Sequence, residues 1–308
     1  MKTAILSLLI ASWAGYAVAA TPQQAAEKPA ITATTPQSEA GSVEENVVYG
    51  SANGAELRLD IYKPADRKPA DQHAPRPAII LIHGGGWTSF DKGTMQRMGE
   101  FLSRSGFVAF AVDYRLFHGT ENRWPAQLDD VQRAVRWVRA NAAKYGVNPE
   151  RIGAFGHSAG AQLAALLGME DTRDNSDPAL AKYSSRVEAV VDVSGPTDFT
   201  VNHDADGVAF LTSFLGADYA KHPEVWRQAS PAFHVAKDNA PFLIVHGKRD
   251  ESVPLAQAEK LFEALKAQGV PVFLEKVDDE HTFRNPDVRR QLAIETQEFF
   301  NHYLGTEP

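Results

Sequence analysis

Residues 152–167 read IGAFGHSAGAQLAALL, and this stretch decides the fold. It joins a short apolar run to a helical pattern rich in Ala and Leu through Gly-x-Ser-x-Gly, with Ser158 at the centre. The two glycines allow a turn too tight for side chains, which lifts the serine hydroxyl to the carboxyl edge of a sheet. This order of strand, sharp turn and helix predicts a nucleophile elbow. The alternative, an ordinary strand-to-helix turn with a capping serine, explains the two glycines less well.

Short apolar runs alternate with helical patterns on both sides of this stretch. The runs that fit buried strands are 78–82, 107–112, 151–155, 187–193, 241–245 and 272–277. Helical patterns start at Pro125 and Pro254, and another closes the chain. Continuous apolar runs are typical of strands buried on both faces, so the pattern predicts an α/β fold with a mostly parallel sheet and helices on both faces. Alternating stretches near 43–49 and 57–62 predict an antiparallel N-terminal edge.

The N-terminal residues differ from the rest of the chain. Residues 1–20 hold one charge, Lys2, and an uncharged run that ends in small residues, which predicts a cleavable signal peptide with Ala19 or Ala20 as its last residue. The run is short for an uncleaved anchor. Residues 21–41, rich in Ala, Thr, Pro and Gln, predict a flexible linker. Residues 42–308 then form one domain, in which 195–240 is a candidate small cap insertion.

Composition excludes several classes of function. The 308 residues include no Cys, which rules out disulfides, thiolate nucleophiles and Cys-ligated metals. The formal net charge is −8 and basic residues form no block, so a nucleic-acid partner is not expected. No later segment is long and apolar enough to span a membrane, so we expect no membrane partner once the signal peptide is cleaved. Nothing in the sequence indicates an oligomeric state. Secretion to the periplasm or to the medium is expected from the leader.

A glycine run follows the first predicted parallel strand, in His83-Gly84-Gly85-Gly86-Trp87. Three consecutive glycines are conformationally costly unless main-chain N–H groups must approach a ligand closely. An acyl-transfer intermediate needs such donors for its oxyanion. We therefore expect an oxyanion hole formed by the N–H groups of Gly85, Gly86 and Trp87, together with that of Ala159 after the nucleophile. A phosphate-binding loop would need a different glycine spacing.

A serine nucleophile needs a base, and the base needs an orienting carboxylate. In a fold of this kind the chain order is Ser, acid, His. His281 lies after the last predicted strand and is the expected base, whereas His246 at a strand end is interpreted as core. Asp250, which follows the strand 241–245, is the expected acid. The competing candidates for the acid are Asp192, Asp198 and Glu251. Three further carboxylates lie close to His281 in sequence and are interpreted as solvated loop charges: Asp278, Asp279 and Glu280.

Four aromatic residues are candidates for lining a pocket that takes an acyl or sugar group: Trp87, Phe117, Trp124 and Trp226. Aromatic side chains fill cores as readily as pockets, so each position fits a core role equally well.

Taken together, these motifs resemble the α/β-hydrolase superfamily. The similarity is to bacterial feruloyl and acetylxylan esterases and to hormone-sensitive-lipase-like carboxylesterases, and it extends from about residue 56 to residue 303. The resemblance implies an α/β-hydrolase domain over 42–308 and a triad of Ser158, Asp250 and His281, with no metal or organic cofactor. This chain departs from the family pattern at Ala161 and Glu280, where relatives often carry glycine.

The resemblance implies a secreted serine carboxylesterase. Its expected substrate is a small-molecule or polysaccharide-linked ester with an acetyl or feruloyl group. The same triad would also serve an amidase of the arylformamidase or peptidase type, since the glycine loop and the elbow are similar to those of kynurenine formamidase as well. A non-catalytic binding protein on this fold is disfavoured because all three triad positions are filled.

Overall fold

The computed structural model describes residues 41–65, 74–172, 177–201 and 204–305. The predicted signal peptide, 1–20, and all but the last residue of the predicted linker, 21–41, lie outside these ranges.

Eight strands form one sheet across the described chain. They are β1 (Ser42–Ala52), β2 (Ala55–Lys63), β3 (Arg76–Ile82), β4 (Val108–Val112), β5 (Val147–His157), β6 (Ala189–Val193), β7 (Phe242–Gly247) and β8 (Val272–Val277). Their order in the sheet is β1-β2-β4-β3-β5-β6-β7-β8. The first two strands pair antiparallel, β2 is antiparallel to β4, and all later pairs are parallel. The predicted mostly parallel sheet with an antiparallel N-terminal edge is confirmed.

The helices cover both faces of the sheet, as predicted. They are α1 (Gln96–Arg104), α2 (Ala126–Ala140), α3 (Ala142–Tyr145), α4 (Ala159–Leu167), α5 (Ala205–Leu215), α6 (Pro223–Gln228), α7 (Ala256–Ala267) and α8 (Pro286–Leu304). Two apolar layers result. One packs α2, α4 and α7 on one face of the sheet, and the other packs α1 and α8 on the opposite face. The buried strands are apolar on both sides because each side faces one of these layers.

The segment between β6 and β7 contains α5, α6 and a short 3₁₀ turn at Pro231–Phe233. It covers the range 195–240 that the sequence marks as a candidate cap. Helix α5 is apolar on two sides: Leu211, Phe214 and Leu215 are buried, whereas Val208 and Phe210 remain 42% and 37% exposed. Among the described helices, none is long and apolar enough to cross a membrane.

Candidate active site

Ser158 lies on a sharp turn between β5 and α4, as the sequence predicts. Its backbone has φ 55° and ψ −122°, a left-handed conformation that a serine adopts only under constraint. The flanking glycines permit it. A Cβ added at Gly156 would lie 2.1 Å from the carbonyl oxygen of Gly160, and one at Gly160 would lie 2.2 Å from that of Ile82. The turn therefore presents the Ser158 side chain at the carboxyl edge of the sheet.

The structure brings together the three side chains that the sequence selects as a triad. His281 Nε2 lies 2.9 Å from Ser158 Oγ, and His281 Nδ1 lies 2.7 Å from Asp250 Oδ2. Since a carboxylate only accepts, Nδ1 carries the proton and Nε2 is free to accept from the serine hydroxyl. Asp250 comes from the loop after β7 and His281 from the loop after β8, so the turns that follow three parallel strands of one sheet, β5, β7 and β8, position the set.

The Asp250 carboxylate is held by more than the catalytic histidine. Its side chain is fully buried, and Oδ1 accepts from the N–H groups of Ser252 and Val253 at 2.9 and 2.8 Å. His246 Nε2 lies 3.3 Å from Oδ2 and 2.8 Å from the Val253 carbonyl oxygen. Burial alone would raise the pKa of Asp250, but the hydrogen bonds from His246, His281 and the Val253 N–H outweigh it and hold this pKa well below its usual value. Asp250 is therefore an anion throughout the neutral range.

The other carboxylates considered for the acid are engaged elsewhere. Asp192 is buried on β6 and accepts from the Gly195 N–H at 2.9 Å, while Asp198 binds Lys260 and Thr200. Asp279 is 3% exposed and accepts from the N–H groups of residues 280, 284 and 285, at 2.9, 3.2 and 2.9 Å. The interpretation of Asp279 as a solvated charge is therefore wrong, because the carboxylate organises the loop that carries His281.

The glycine loop packs directly over the elbow. A Cβ at Gly84 would lie 3.2 Å from Ser158 Cβ, so a side chain would not fit there without displacement. The next three residues, Gly85, Gly86 and Trp87, all have positive φ, at 105°, 57° and 61°. Within the described residues, none accepts a hydrogen bond from the N–H groups of these three or of Ala159. The four amides expected to form an oxyanion hole are thus unpaired, and the loop that carries three of them adjoins the nucleophile.

Trp87 is held by Gln162, a residue that sequence reasoning did not identify. Its indole Nε1 donates to Gln162 Oε1 at 3.1 Å, and Gln162 Nε2 donates to the Ala229 carbonyl oxygen at 2.8 Å. Gln162 is fully buried on α4, one turn after the nucleophile. Its amide therefore connects the oxyanion loop to the segment between β6 and β7. Glutamine on an otherwise apolar helix is a signal that could have pointed to this role, because a buried amide needs partners.

Three of the four aromatic pocket candidates meet on this side of the site. Trp87 stacks on Phe214 of α5 with ring centroids 4.6 Å apart, and Phe117 and Trp124 contact the same ring at 5.6 and 6.3 Å. Phe210 joins them on the exposed side. The fourth candidate lies apart from this cluster. Trp226 contacts Tyr219 and donates its Nε1 proton to the Ala217 carbonyl oxygen at 2.9 Å, so it packs within the segment between β6 and β7 instead.

His157, the residue before the nucleophile, has a role that the motif does not indicate. Its Nε2 lies 2.9 Å from the main-chain carbonyl oxygen of His281, and the two rings are 5.1 Å apart. Burial lowers the pKa of His157, so the ring is neutral at pH 7 and donates its Nε2 proton to this carbonyl. Within the described ranges, no group of three or more His, Asp and Glu side chains could hold a metal ion.

Comparison with known proteins agrees with this geometry. Residues 59–265 match the family described as BD-FAE. The chain is 32% identical over 275 residues to LipM of Mycobacterium tuberculosis, a probable carboxylic ester hydrolase, and 32% identical over 227 residues to esterase LipC of the same organism. These alignments cover 84% and 72% of this chain, but 62% and 54% of the relatives. The chain thus spans less than two thirds of the length of these two proteins.

Solved structures show the same fold over nearly their whole length. A thermophilic esterase from Thermogutta terrifontis, Est2, superposes with a TM-score of 0.72 at 29% identity, covering 89% of this chain and 96% of that one. A truncated carbohydrate esterase from gut microbiota has a TM-score of 0.72 at 27% identity, covering 91% and 100%. The resemblance to α/β-hydrolase serine esterases is therefore confirmed. With this fold and a family match over most of its length, the chain belongs to the BD-FAE family of α/β-hydrolases.

Proposed function

We propose that the protein is a serine carboxylic ester hydrolase. The observation that carries the proposal is the continuous chain of hydrogen bonds from Ser158 through His281 to Asp250, at 2.9 and 2.7 Å, beside a loop of unpaired N–H groups. Acyl transfer needs this combination: an activated alcohol, a base held in one tautomer, and donors for a developing oxyanion.

The geometry leads to a two-stage reaction. Ser158 Oγ attacks the ester carbonyl carbon while His281 Nε2 takes its proton, and the buried Asp250 stabilises the resulting imidazolium. The carbonyl oxygen becomes an oxyanion held by the N–H groups of Ala159 and the glycine loop. The intermediate collapses, the ester C–O bond breaks, and His281 returns the proton to the leaving alcohol. Water then attacks the acyl-enzyme with the same base, which releases the acid and restores the serine.

The proposed substrates carry a short or an aromatic acyl group, acetyl or feruloyl, on a small molecule or a plant polysaccharide. The aromatic cluster of Trp87, Phe117 and Phe214 beside the oxyanion loop supports a planar or small apolar group at this position. Among the structural neighbours, Est2 has been solved with propionate and with butyrate bound, and another neighbour is a carbohydrate esterase. The bound propionate and butyrate support a short acyl group, and the carbohydrate esterase supports an ester on a carbohydrate.

The test is turnover by Ser158→Ala. We expect it to lower kcat for p-nitrophenyl acetate by a factor on the order of 10⁴ to 10⁶, the loss typical of a removed nucleophile, without a change in the unfolding midpoint. Ser51→Ala, an exposed serine on β1, is the matched control and should retain full activity. An unchanged rate in Ser158→Ala contradicts the proposal.

A substrate panel decides between acyl groups and between bond types. Acetylated xylan, methyl ferulate and p-nitrophenyl decanoate should be compared at equal enzyme concentration, with N-formylkynurenine included for the amidase alternative. We expect the acetyl and feruloyl esters to give the higher kcat/KM. A preference for the decanoate ester contradicts the acyl proposal, and faster hydrolysis of N-formylkynurenine favours the amidase.

We further propose that the protein is exported and that a signal peptide ending at Ala19 or Ala20 is removed. The uncharged, small-residue end of this segment supports the proposal. N-terminal sequencing of protein expressed from the full gene should begin at Ala20 or Thr21. Recovery of Met1 in the extracytoplasmic fraction contradicts it.

A further inference from the structure

A cavity of about 510 Å³ lies between α1 and α8, on the opposite face of the sheet from the nucleophile helix. Neither Ser158, Asp250 nor His281 lines it, so it is separate from the proposed catalytic site. Its volume falls within the range of small-molecule sites. Its inner surface is formed by apolar, buried side chains, which are Met95, Phe155, Val193, Phe283 and Leu292.

Arginines surround this apolar interior. Arg97, Arg104, Arg289 and Arg290 line the cavity, and Glu100 is the one acidic residue among its lining residues. This concentration of positive charge is unusual in a chain whose formal net charge is −8. Arginine binds carboxylates through two parallel N–H···O bonds and pairs well at sites next to apolar surface. An apolar interior with a cationic rim therefore complements an amphipathic anion.

The cavity also reaches the back of the catalytic histidine. His157, which lines it, donates to the main-chain carbonyl oxygen of His281 at 2.9 Å. Phe283, two residues beyond His281, is 3% exposed and holds φ at 46°, a left-handed conformation that is strained for an aromatic residue. A molecule in the cavity would thus contact two residues that adjoin His281, one through a hydrogen bond to its carbonyl oxygen and one within its loop.

We propose that this cavity binds an amphipathic monocarboxylate, with the alkyl or aryl body inside and the carboxylate at the arginine rim, and that occupancy changes turnover through the His281 loop. The effect on turnover rests on the proposed esterase function, whereas the binding itself does not. Ferulate, one of the acids that the proposed esterase would release, has this chemistry, so product is one source of the ligand and free fatty acid is another.

Calorimetric titration of the full chain tests the binding. Octanoate is the probe, with acetate as the charge without the chain and 1-octanol as the chain without the charge. We expect saturable binding of octanoate, weaker binding of octanol and none of acetate. Ala293→Trp, which fills the cavity from α8, should weaken octanoate and octanol by more than about tenfold.

A charge-reversal variant tests the rim without disturbing the core. Arg289 and Arg290 are exposed, so Arg289→Glu with Arg290→Glu should fold normally. We expect about tenfold weaker octanoate binding and less than twofold change for octanol, because two exposed ion pairs are lost. The matched control, Lys182→Glu with Lys221→Glu, makes the same change in net charge at exposed positions away from the cavity and should leave octanoate binding unchanged.

Two results overturn the proposal. One is the absence of saturable octanoate binding, and the other is octanoate binding that survives both the Ala293→Trp and the charge-reversal variants. For the kinetic part, saturating octanoate should change kcat for p-nitrophenyl acetate by about fivefold in the wild type and not in Ala293→Trp. Purely competitive inhibition in both proteins means that octanoate acts at Ser158 and contradicts this part. If octanoate binds but no ester is hydrolysed, the esterase proposal fails and the binding proposal stands.

Discussion

Asp192 is a carboxyl group that folding removes from water without full compensation. It is 1% exposed, and although Oδ1 accepts from the Gly195 N–H, Oδ2 has no hydrogen-bond partner in the described part of the chain. Burial raises the pKa of Asp192 from 3.8 to about 6. The unfolded chain releases this proton near pH 4, whereas the folded chain keeps it to about pH 6. The folded state therefore loses stability as the pH rises through this window.

The size of this effect follows from the pKa difference. About two pKa units at 1.36 kcal/mol each amount to roughly 3 kcal/mol of destabilisation, present in full above about pH 6.5. Asparagine has the same shape, keeps an acceptor for Gly195 and does not ionise. We therefore expect Asp192→Asn to equal the wild type at pH 4 and to exceed its free energy of unfolding by about 3 kcal/mol at pH 8.

The measurement is urea unfolding followed by circular dichroism, in steps from pH 4 to pH 8. Asp198→Asn is the matched control, because the Asp198 side chain is also buried but its pKa is shifted the other way. Burial raises that pKa, but the hydrogen bonds from Lys260 and Thr200 outweigh burial and lower it. Asp198→Asn should therefore become less stable than the wild type as the pH rises.

The difference in free energy of unfolding between variant and wild type must rise with pH for Asp192→Asn and fall with pH for Asp198→Asn. Parallel slopes, or an Asp192→Asn protein that is less stable than the wild type at pH 8, would refute the argument, since either result means that the native Asp192 is a paired anion.

Asp192→Asn also tests the choice of catalytic acid. Asp192→Asn should retain ester turnover, because the carboxylate that contacts His281 is Asp250.

Two further variants test contacts around the proposed active site. Gln162→Leu leaves the Trp87 indole and the Ala229 carbonyl without partners. We therefore expect about tenfold lower kcat for p-nitrophenyl acetate with little change in KM. A rise in KM as large as the fall in kcat contradicts this expectation. His246→Leu removes a donor to Asp250, which makes this carboxylate a stronger partner for protonated His281. We expect the acidic limb of kcat/KM to move to higher pH by less than about one unit, and an unmoved or lowered limb contradicts this expectation.

The sequence predicts the frame of the molecule well because the relevant signals are local. The apolar runs at 78–82 and 272–277 need only their own residues to indicate buried strands, and both are strands in the structure. The residues selected for the triad follow from chain order and loop position. Since the carboxyl ends of parallel strands meet at one edge of the sheet, loops after β5, β7 and β8 come together there.

Contacts between distant elements could not be predicted in this way. The sequence predicts a core position for His246, and its burial agrees, but its approach to Asp250 depends on how the loop after β7 turns back. His157 occupies a position that the motif leaves open, and its partner is a main-chain carbonyl 124 residues away. Trp226 resembles the other aromatic candidates in sequence, and only the way that the segment between β6 and β7 folds directs it to Tyr219 and Ala217.

The distribution of the reactive groups along the chain has a consequence for synthesis. The alcohol is in place once the central strands have formed, but the imidazole is carried by the loop between the final strand and the terminal helix. A nascent polypeptide therefore carries the elbow through 123 further residues of synthesis before the partner that would activate it is made. The proposed hydrolytic activity needs residue 281, so we expect products terminated before it to be inert and recovery of turnover during refolding to report docking of the His281 loop.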